Sequence, residues 1–246
     1  MLKCGLLGKK LSHSRSPEIH RQLGDYEYLL YEKEEEELEA FLKDGDWTGM
    51  NVTIPYKKTV LPYVAELSPV AERLGSVNTL VRRPDGTLFG DNTDVAGFMA
   101  MVRFSGLRPE GTKVLVLGSG GASVSVCEGL RQMDAFPVVI SRRGENRYDN
   151  LEKHADAAFL VNATPVGMYP DMDASPLDLR RLPACRGVFD LIYNPRETRL
   201  MAQAREMGIP SVNGLYMLVA QARKGAELFT GSPIPEEKVE EIYRTM

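Results

Sequence analysis

The sequence predicts an α/β chain of two domains, and three observations lead there. The first third alternates short strand-like and helix-like stretches and contains an antiparallel edge. The middle carries fully apolar runs separated by helical segments, the pattern of a parallel sheet covered on both faces. A glycine-rich turn, Gly118-Ser119-Gly120-Gly121-Ala122-Ser123, leaves one of those runs and opens a helix. With 246 residues and 43% hydrophobic content, the chain can bury two modest cores.

Taken in order, residues 2–7 read as a strand and 16–23 as a short helix with Pro17 at its first position, where a missing N–H costs nothing. Residues 26–31 form the next strand, 34–42 a surface helix, 49–54 a strand and 57–64 a helix. Strands over 78–82 and 87–90 flank Pro84-Asp85-Gly86, a turn signal that makes them a hairpin. A connecting helix over 98–104 leads to apolar strands at 114–117, 138–140, 158–161 and 188–192. Helices at 122–133 and 198–207 supply the crossovers a parallel sheet requires, and 215–229 and 236–244 are helical. The chain is expected to change domains near Gly97 and Asn213. That gives an N-terminal α/β domain over 1–97, a Rossmann-like parallel-sheet domain over 98–212, and C-terminal helices over 213–246 that return to the first domain.

Composition excludes several classes. A net charge of −4 and a glutamate-rich segment at 32–39 offer no basic face to nucleic acid. Cys4, Cys127 and Cys185 are odd in number, far apart and without metal-ligand spacing, so they read as reduced, buried thiols. His13, His20 and His154 are too scattered for a metal site, and none is expected. The opening apolar run is broken by Gly5, Gly8, Lys9 and Lys10, too soon for a signal or membrane segment, which places the protein in the cytoplasm.

Two short motifs carry candidate chemistry: Asn51-Val-Thr-Ile-Pro-Tyr-Lys57 and Gly90-Asp-Asn-Thr-Asp94. A lysine and a carboxylate on strand-to-helix turns can share and pass a proton; the alternative is a solvent-exposed ion pair. The loop 118–123 has the strand-to-helix setting in which bare backbone amides hold a pyrophosphate, although Ser123 occupies the last glycine position of the usual fingerprint. A tight turn without a ligand is the alternative there. One strand later, where an NAD-binding fold usually places an acidic residue for the ribose, the chain has Ser141-Arg142-Arg143. Arginine favours a 2′-phosphate, hence NADP, against the alternative of a solvated basic turn.

Assembled, these residues resemble the shikimate/quinate dehydrogenase family almost end to end. The matching motifs are Gly8 with His13-Ser-Arg-Ser-Pro17, the Lys57 and Asp94 motifs, Val77-Asn-Thr79, the glycine loop, Asn162-Ala-Thr-Pro-Val-Gly-Met168, Tyr193-Asn-Pro195 and Asn213-Gly-Leu-Tyr-Met-Leu-Val-Ala-Gln221. The resemblance implies a shikimate dehydrogenase activity: NADPH-dependent, reversible reduction of 3-dehydroshikimate to shikimate on the way to chorismate and the aromatic amino acids. It implies a catalytic pair, Lys57 and Asp94, with Ser14 and Ser16 on the substrate carboxylate, although either serine could simply cap a helix. Asn51, Thr53, Asn78 and Gln221 would grip the ring hydroxyls and Tyr193 would close the pocket. Cofactor contacts would come from Gly118, Ser119, Gly120, Gly121, Ala122, Ser123, Ser141, Arg142, Arg143, Asn162, Thr164, Leu191, Gly214 and Met217.

The chain departs from the family pattern at Val124, where many relatives have arginine, at Arg21 and Ser76, and in the short stretch between Arg143 and Asp156, which predicts a truncated helix on the adenosine side. A quinate/shikimate dehydrogenase using NAD, and a non-catalytic nucleotide- or metabolite-binding regulator, are the competing readings. No membrane or nucleic-acid partner is expected, and the protein is expected to be a monomer or homodimer.

Overall fold

The computed structural model describes residues 1–12 and 14–246. His13, part of the first motif, lies outside the described residues. The backbone runs β1 (Lys3–Gly8), α1 (Ser16–Leu23), β2 (Glu27–Glu32), α2 (Leu38–Asp44), β3 (Gly49–Val52), β4 (Glu66–Leu67), α3 (Pro69–Leu74), β5 (Thr79–Arg82) and β6 (Leu88–Asp91). It continues through α4 (Asp94–Ser105), β7 (Lys113–Leu117), α5 (Gly121–Gln132), β8 (Phe136–Ile140), β9 (Phe159–Asn162), β10 (Val188–Asp190), α6 (Arg199–Glu206), β11 (Ser211–Val212), α7 (Leu215–Thr230) and α8 (Glu237–Thr245). These elements make two compact units, one of Met1–Asp94 with Val219–Met246 and one of Val95–Leu218. The changes of unit fall at the start of α4 and early in α7, a few residues from Gly97 and Asn213, because each helix begins before the chain leaves its unit.

The first unit holds a six-stranded mixed sheet in the order β2-β1-β3-β5-β6-β4. β1 is parallel to β2 and β3, and β5 pairs antiparallel with β3 and β6, as the hairpin signal required. Leu7, Met50, Val52 and Leu80 pack with Leu38 and Leu42 of α2 and with Trp47 and Tyr56. The helix expected over 57–64 is replaced by turns and a single 3-10 turn at Leu61–Tyr63. Pro62 explains the change: it has no N–H to continue an α-helix, so Leu61 N–H closes a shorter bond to the Lys58 carbonyl at 3.1 Å. α3 escaped the sequence reading because six residues show little periodicity, yet its ends are well marked. Ser68 Oγ accepts from Ala71 N–H, Pro69 starts the helix and Gly75 ends it in the left-handed region at φ 56°.

The second unit is a five-stranded, all-parallel sheet in the order β11-β10-β9-β7-β8. Counted from its first strand, that is a doubly wound sheet whose strand order reverses between β7 and β9. Val114, Leu115, Val116 and Leu117 are fully buried, as their unbroken apolar run predicted. Leu115, Leu117, Ile140, Leu160 and Val188 pack with Leu200 and Ala204 of α6 and with Leu151 and Leu179. β8 ends the sheet, and the segment after it makes a bridge from Ser141 to Arg147 and a 3-10 turn at Leu151–His154 rather than a full helix. The short strands β4 and β11, two residues each, carry too little pattern to be read from sequence.

Candidate active site

Lys57 follows β3 in a turn that three contacts hold. Tyr56 is buried with its hydroxyl donating to the Lys33 carbonyl at 2.5 Å, and the Lys57 carbonyl accepts Val77 N–H at 2.8 Å. Lys57 Nζ then donates to Asp94 Oδ2 at 2.6 Å, its side chain 21% and that of Asp94 12% exposed. Asp94 is the first residue of α4, where the unpaired amides and the helix dipole favour a carboxylate. Its other oxygen accepts Asn78 Nδ2 at 2.9 Å. Asn78 also donates to Thr93 Oγ1 at 3.1 Å and accepts Thr93 N–H at 2.8 Å and Thr79 Oγ1 at 3.0 Å. A partly buried ion pair fixed at both carboxylate oxygens keeps one geometry, which a solvent-exposed pair does not. Lys57 keeps two further ammonium hydrogens for another oxygen.

Around the pair lies a chain of buried polar groups. Asn51 donates from Nδ2 to Thr79 Oγ1 at 3.1 Å and accepts the Tyr28 hydroxyl at 2.8 Å. Tyr28 stacks on His20 with ring centroids 3.9 Å apart, and His20 Nδ1 lies 2.7 Å from the Tyr26 hydroxyl. Burial pushes His20 down to about 3, with the hydrogen bond to Asn51 acting the other way, so the imidazole is neutral. Gln221 on α7 joins through Thr93 Oγ1 at 3.4 Å, and Gly225 leaves room for Asn51, since a Cβ there would come within 2.9 Å of Nδ2. Thr53 is half-buried, its hydroxyl unpartnered among the described residues. Ser14 Oγ accepts the N–H of Ser16, the first residue of α1, at 3.2 Å and so satisfies one amide of the helix end, while Arg15 at the N-cap makes no side-chain cap bond.

In the second unit the loop after β7 meets the loop after β9, at the point where strand order reverses and open α/β sheets hold their ligands. Gly118 sits at φ 99°, a conformation other residues avoid, and a Cβ there would come within 3.0 Å of Thr164 Cγ2. Gly120 precedes α5 with no side-chain cap, which leaves the first amides of the helix free. A Cβ on Gly120 or Gly121 would meet nothing within 4 Å, so open space lies where a diphosphate would rest against those amides. Ser119 is exposed and Ala122 half-buried beside it. Arg142 and Arg143 are exposed, and neither guanidinium has a hydrogen bond or ion pair among the described residues. Ser141 Oγ bends back onto the Arg143 carbonyl. The residues present therefore fit a dinucleotide.

Three expected ligand contacts have other work in the structure. Ser123 is 2% exposed and turned inward, a small residue where the third glycine of the fingerprint would allow close helix-to-strand packing. Asn162 is fully buried: its Oδ1 accepts Thr164 N–H at 3.1 Å and Thr164 Oγ1 at 2.7 Å, while Nδ2 donates to Asp190 Oδ1 at 3.0 Å. It shapes the Thr164 loop instead of facing a cofactor. Asn78, expected on a ring hydroxyl, has both amide hydrogens committed to Thr93 and Asp94, so it positions the carboxylate. Gly214 passes so close to Leu191 that any Cβ would overlap the Leu191 carbonyl, and its N–H bonds Ile192 O at 3.0 Å. Met217 is buried, and Leu191 and Tyr193 are half-buried. A separate cavity of about 520 Å³, lined by Leu177, Arg199, Gln203 and Met207 among others, contains none of the expected site residues.

The sequence reading passed over His20, Tyr28, Thr93 and Asp190. Thr93 lies within the Asp94 motif, His20 and Tyr28 join the first unit's network only through folding, and Asp190 belongs to a separate cluster in the second unit. Asp190 is fully buried, donors reaching it from Asn162, Thr198 at 2.6 Å and Ile192 N–H at 3.1 Å. Burial nonetheless pushes its carboxyl up to about 6. Among the described residues no three His, Cys, Asp or Glu side chains converge as a metal site, and no helix is long and apolar enough to cross a membrane.

An ion pair held at the start of a helix in one α/β unit, and an open glycine turn at the switch point of a parallel sheet in the other, are the parts of a dinucleotide-dependent dehydrogenase. Comparison with known proteins narrows the class. Residues 6–80 match the shikimate dehydrogenase substrate binding domain. The chain is 33% identical to the NADP(+) shikimate dehydrogenase of Clostridium perfringens over 98% of its own length and 97% of the relative's. A crystal structure of a chorismate mutase/shikimate 5-dehydrogenase fusion protein from Clostridium acetobutylicum superposes with a TM-score of 0.93 at 36% identity, covering 100% of this chain and 97% of the other. The shikimate 5-dehydrogenase of Thermus thermophilus, in complex with NADP(H) and shikimate, gives 0.90 at 33% identity, with 100% and 99% coverage. This chain belongs to the shikimate dehydrogenase family.

Proposed function

We propose that this chain catalyses the reversible, NADPH-dependent reduction of 3-dehydroshikimate to shikimate, in the route to chorismate and the aromatic amino acids. The observation that carries the reading is the Lys57–Asp94 pair, 2.6 Å apart and fixed through Asn78. When bound, the nicotinamide supplies the hydride to C3 of the substrate, or removes it in the reverse direction. Lys57 Nζ gives its proton to the C3 oxygen as the carbonyl is reduced and takes it back from the hydroxyl in the oxidation. Asp94 holds the ammonium in line for that oxygen, and Asn78 holds Asp94. Ser14 and Ser16 bind the carboxylate, and Thr53, Asn51 and Gln221 bind the ring hydroxyls. Thr53 contributes a hydroxyl that is unpartnered among the described residues. The amides of residues 119–122 hold the pyrophosphate, Arg142 or Arg143 the 2′-phosphate, and Thr164, Leu191, Gly214 and Met217 the nicotinamide end. The three cysteines, all free and buried, suit a reducing cytoplasm.

The test follows the absorbance of the reduced nicotinamide with shikimate or quinate against NADP or NAD. Shikimate with NADP should be the fastest combination; quinate with NAD being faster would overturn the assignment. Ser14→Ala and Ser16→Ala should chiefly raise KM for shikimate, because the carboxylate is held alike in ground and transition states. An unchanged KM in the double variant would remove both hydroxyls from the site.

A further inference from the structure

β2, Glu27-Tyr-Leu-Leu-Tyr-Glu32, forms one edge of the first unit's sheet, paired with β1 on one side only. Glu27 N–H bonds Leu2 O and Lys33 N–H bonds Gly8 O, each at 3.1 Å, so the peptide groups of residues 27, 29, 31 and 33 face β1. Those of Tyr28, Leu30 and Glu32 therefore face outward. Natural edges are commonly blunted by a central charge, a proline or a bulge. This one has none of these within the strand: its charges stand at the ends, and Leu29 and Leu30 in the middle are 43% and 39% exposed.

We propose that this edge pairs with a second copy of the chain, β2 to β2 and antiparallel, about a two-fold axis through Leu30. A two-fold axis through any residue of the strand sets outward-facing groups opposite one another; the axis through Leu30 pairs all of residues 27–33 and opposes unlike charges. With Leu30 opposite Leu30 of the second copy, Tyr28 stands opposite Glu32 and all the outward-facing peptide groups meet their like, as a ladder requires. Glu27 then stands opposite Lys33 at both ends, and Leu29 opposite Tyr31 on the other face. An axis midway between Leu29 and Leu30 would oppose outward-facing to inward-facing residues and set Glu27 against Glu32, so it forms no ladder and repels. Lys33 already bonds Glu37 at 2.8 Å in an exposed pair, which it can share at small cost. The strand is thus complementary to itself in shape, hydrogen bonding and charge, as a two-fold contact demands.

Sedimentation across micromolar concentrations should give twice the 27.4 kDa of the chain, and Leu30→Asp should give the single-chain mass with kcat unchanged. Glu27→Lys and Lys33→Glu should each weaken the dimer roughly tenfold, since a like-charge cross-strand contact is created twice, and the double exchange should restore it. Air oxidation should cross-link Leu30→Cys, because paired Cα atoms in such a ladder lie about 5.5 Å apart, within disulfide reach. Leu29→Cys, two residues out of line with its own copy, should not cross-link. A monomeric wild type, a dimer that survives Leu30→Asp, or equal cross-linking at both positions would overturn the proposal.

Discussion

The two units solve the problem of building a site in opposite ways. In the first, the candidate groups are side chains, and each is held by another side chain: Asn78 fixes Asp94, Asp94 fixes Lys57, and Tyr28 and Thr79 fix Asn51. In the second, the open glycine turn offers backbone amides, and the buried side chains beneath it, Asn162, Asp190 and Thr198, brace the neighbouring loop. A proton transfer needs a group whose charge can change, so it needs side chains and a network to orient them. A bound diphosphate needs fixed partial charges, which peptide groups supply without titrating.

If this contrast is right, the largest single losses of turnover lie in the first unit. Lys57→Ala or Asp94→Asn should lower kcat on the order of 100-fold or more, the scale of a lost acid/base group, with little effect on KM for NADPH. A folded Lys57→Ala enzyme with near wild-type kcat would remove Lys57 from proton transfer. In the second unit, substitutions should act on the cofactor instead. Replacing whichever of Arg142 and Arg143 contacts the 2′-phosphate should cost roughly 1.5–3 kcal/mol of NADP binding and leave NAD almost unaffected. Titration of both cofactors against Arg142→Ala and Arg143→Ala reads this directly, and an unaltered NADP/NAD ratio in both variants refutes it.

The buried titrating groups sharpen the comparison because they respond to pH with opposite sign. His20 is depressed from 6.5 to about 3 in the fold, so its contribution is fully present above pH 6.5 and is lost as pH falls toward 3. At about 1.4 kcal/mol per unit, that is on the order of 2 kcal/mol by pH 5. Asp190 is raised from 3.8 to about 6, so its contribution is present below 3.8 and is lost as pH rises through 6. Urea unfolding at pH 7 and pH 5 should show His20→Gln less acid-sensitive than wild type and Asp190→Asn more so. Shifts of the same sign in both variants would show that burial does not set the ionisation of these two groups. The smallest effect is expected at Gly120, whose φ of −83° and ψ of −176° suit any residue. Gly120→Ala should be neutral or add about 0.4–1 kcal/mol of stability. Its methyl group enters the open space, and KM for NADPH should rise on the order of tenfold. A lowered melting temperature with unchanged KM would make the loop a structural turn only.

Much of this arrangement was readable from local pattern. The apolar run before Gly118 announced a buried parallel strand, Pro84-Asp85-Gly86 announced the hairpin, and the Lys57 and Asp94 motifs announced the pair that the structure brings to 2.6 Å. Short elements were not readable, because β4, β11 and α3 are too brief to show a period, and the expected helix after Lys57 failed because Pro62 outweighed its apolar spacing. The roles of polar residues were the least readable. Nothing local distinguishes an asparagine that touches a ligand from one that holds its neighbour: Asn78 and Asn162 sit in motifs like Asn51, yet their amides are consumed within the fold.

The sequence by itself determined the fold class, the order of the motifs, the glycine turn and the Lys57 and Asp94 motifs, since these rest on hydrophobic period, turn chemistry and residue type. Only the tertiary structure decided which donors are spent and which remain free, that His20 is neutral and Asp190 hard to ionise, and that β2 is left as an open edge with two exposed leucines. Those properties depend on desolvation and on partners from distant segments, as when Tyr28 reaches Asn51 or Asn78 reaches Asp94, and no local stretch of chain encodes them.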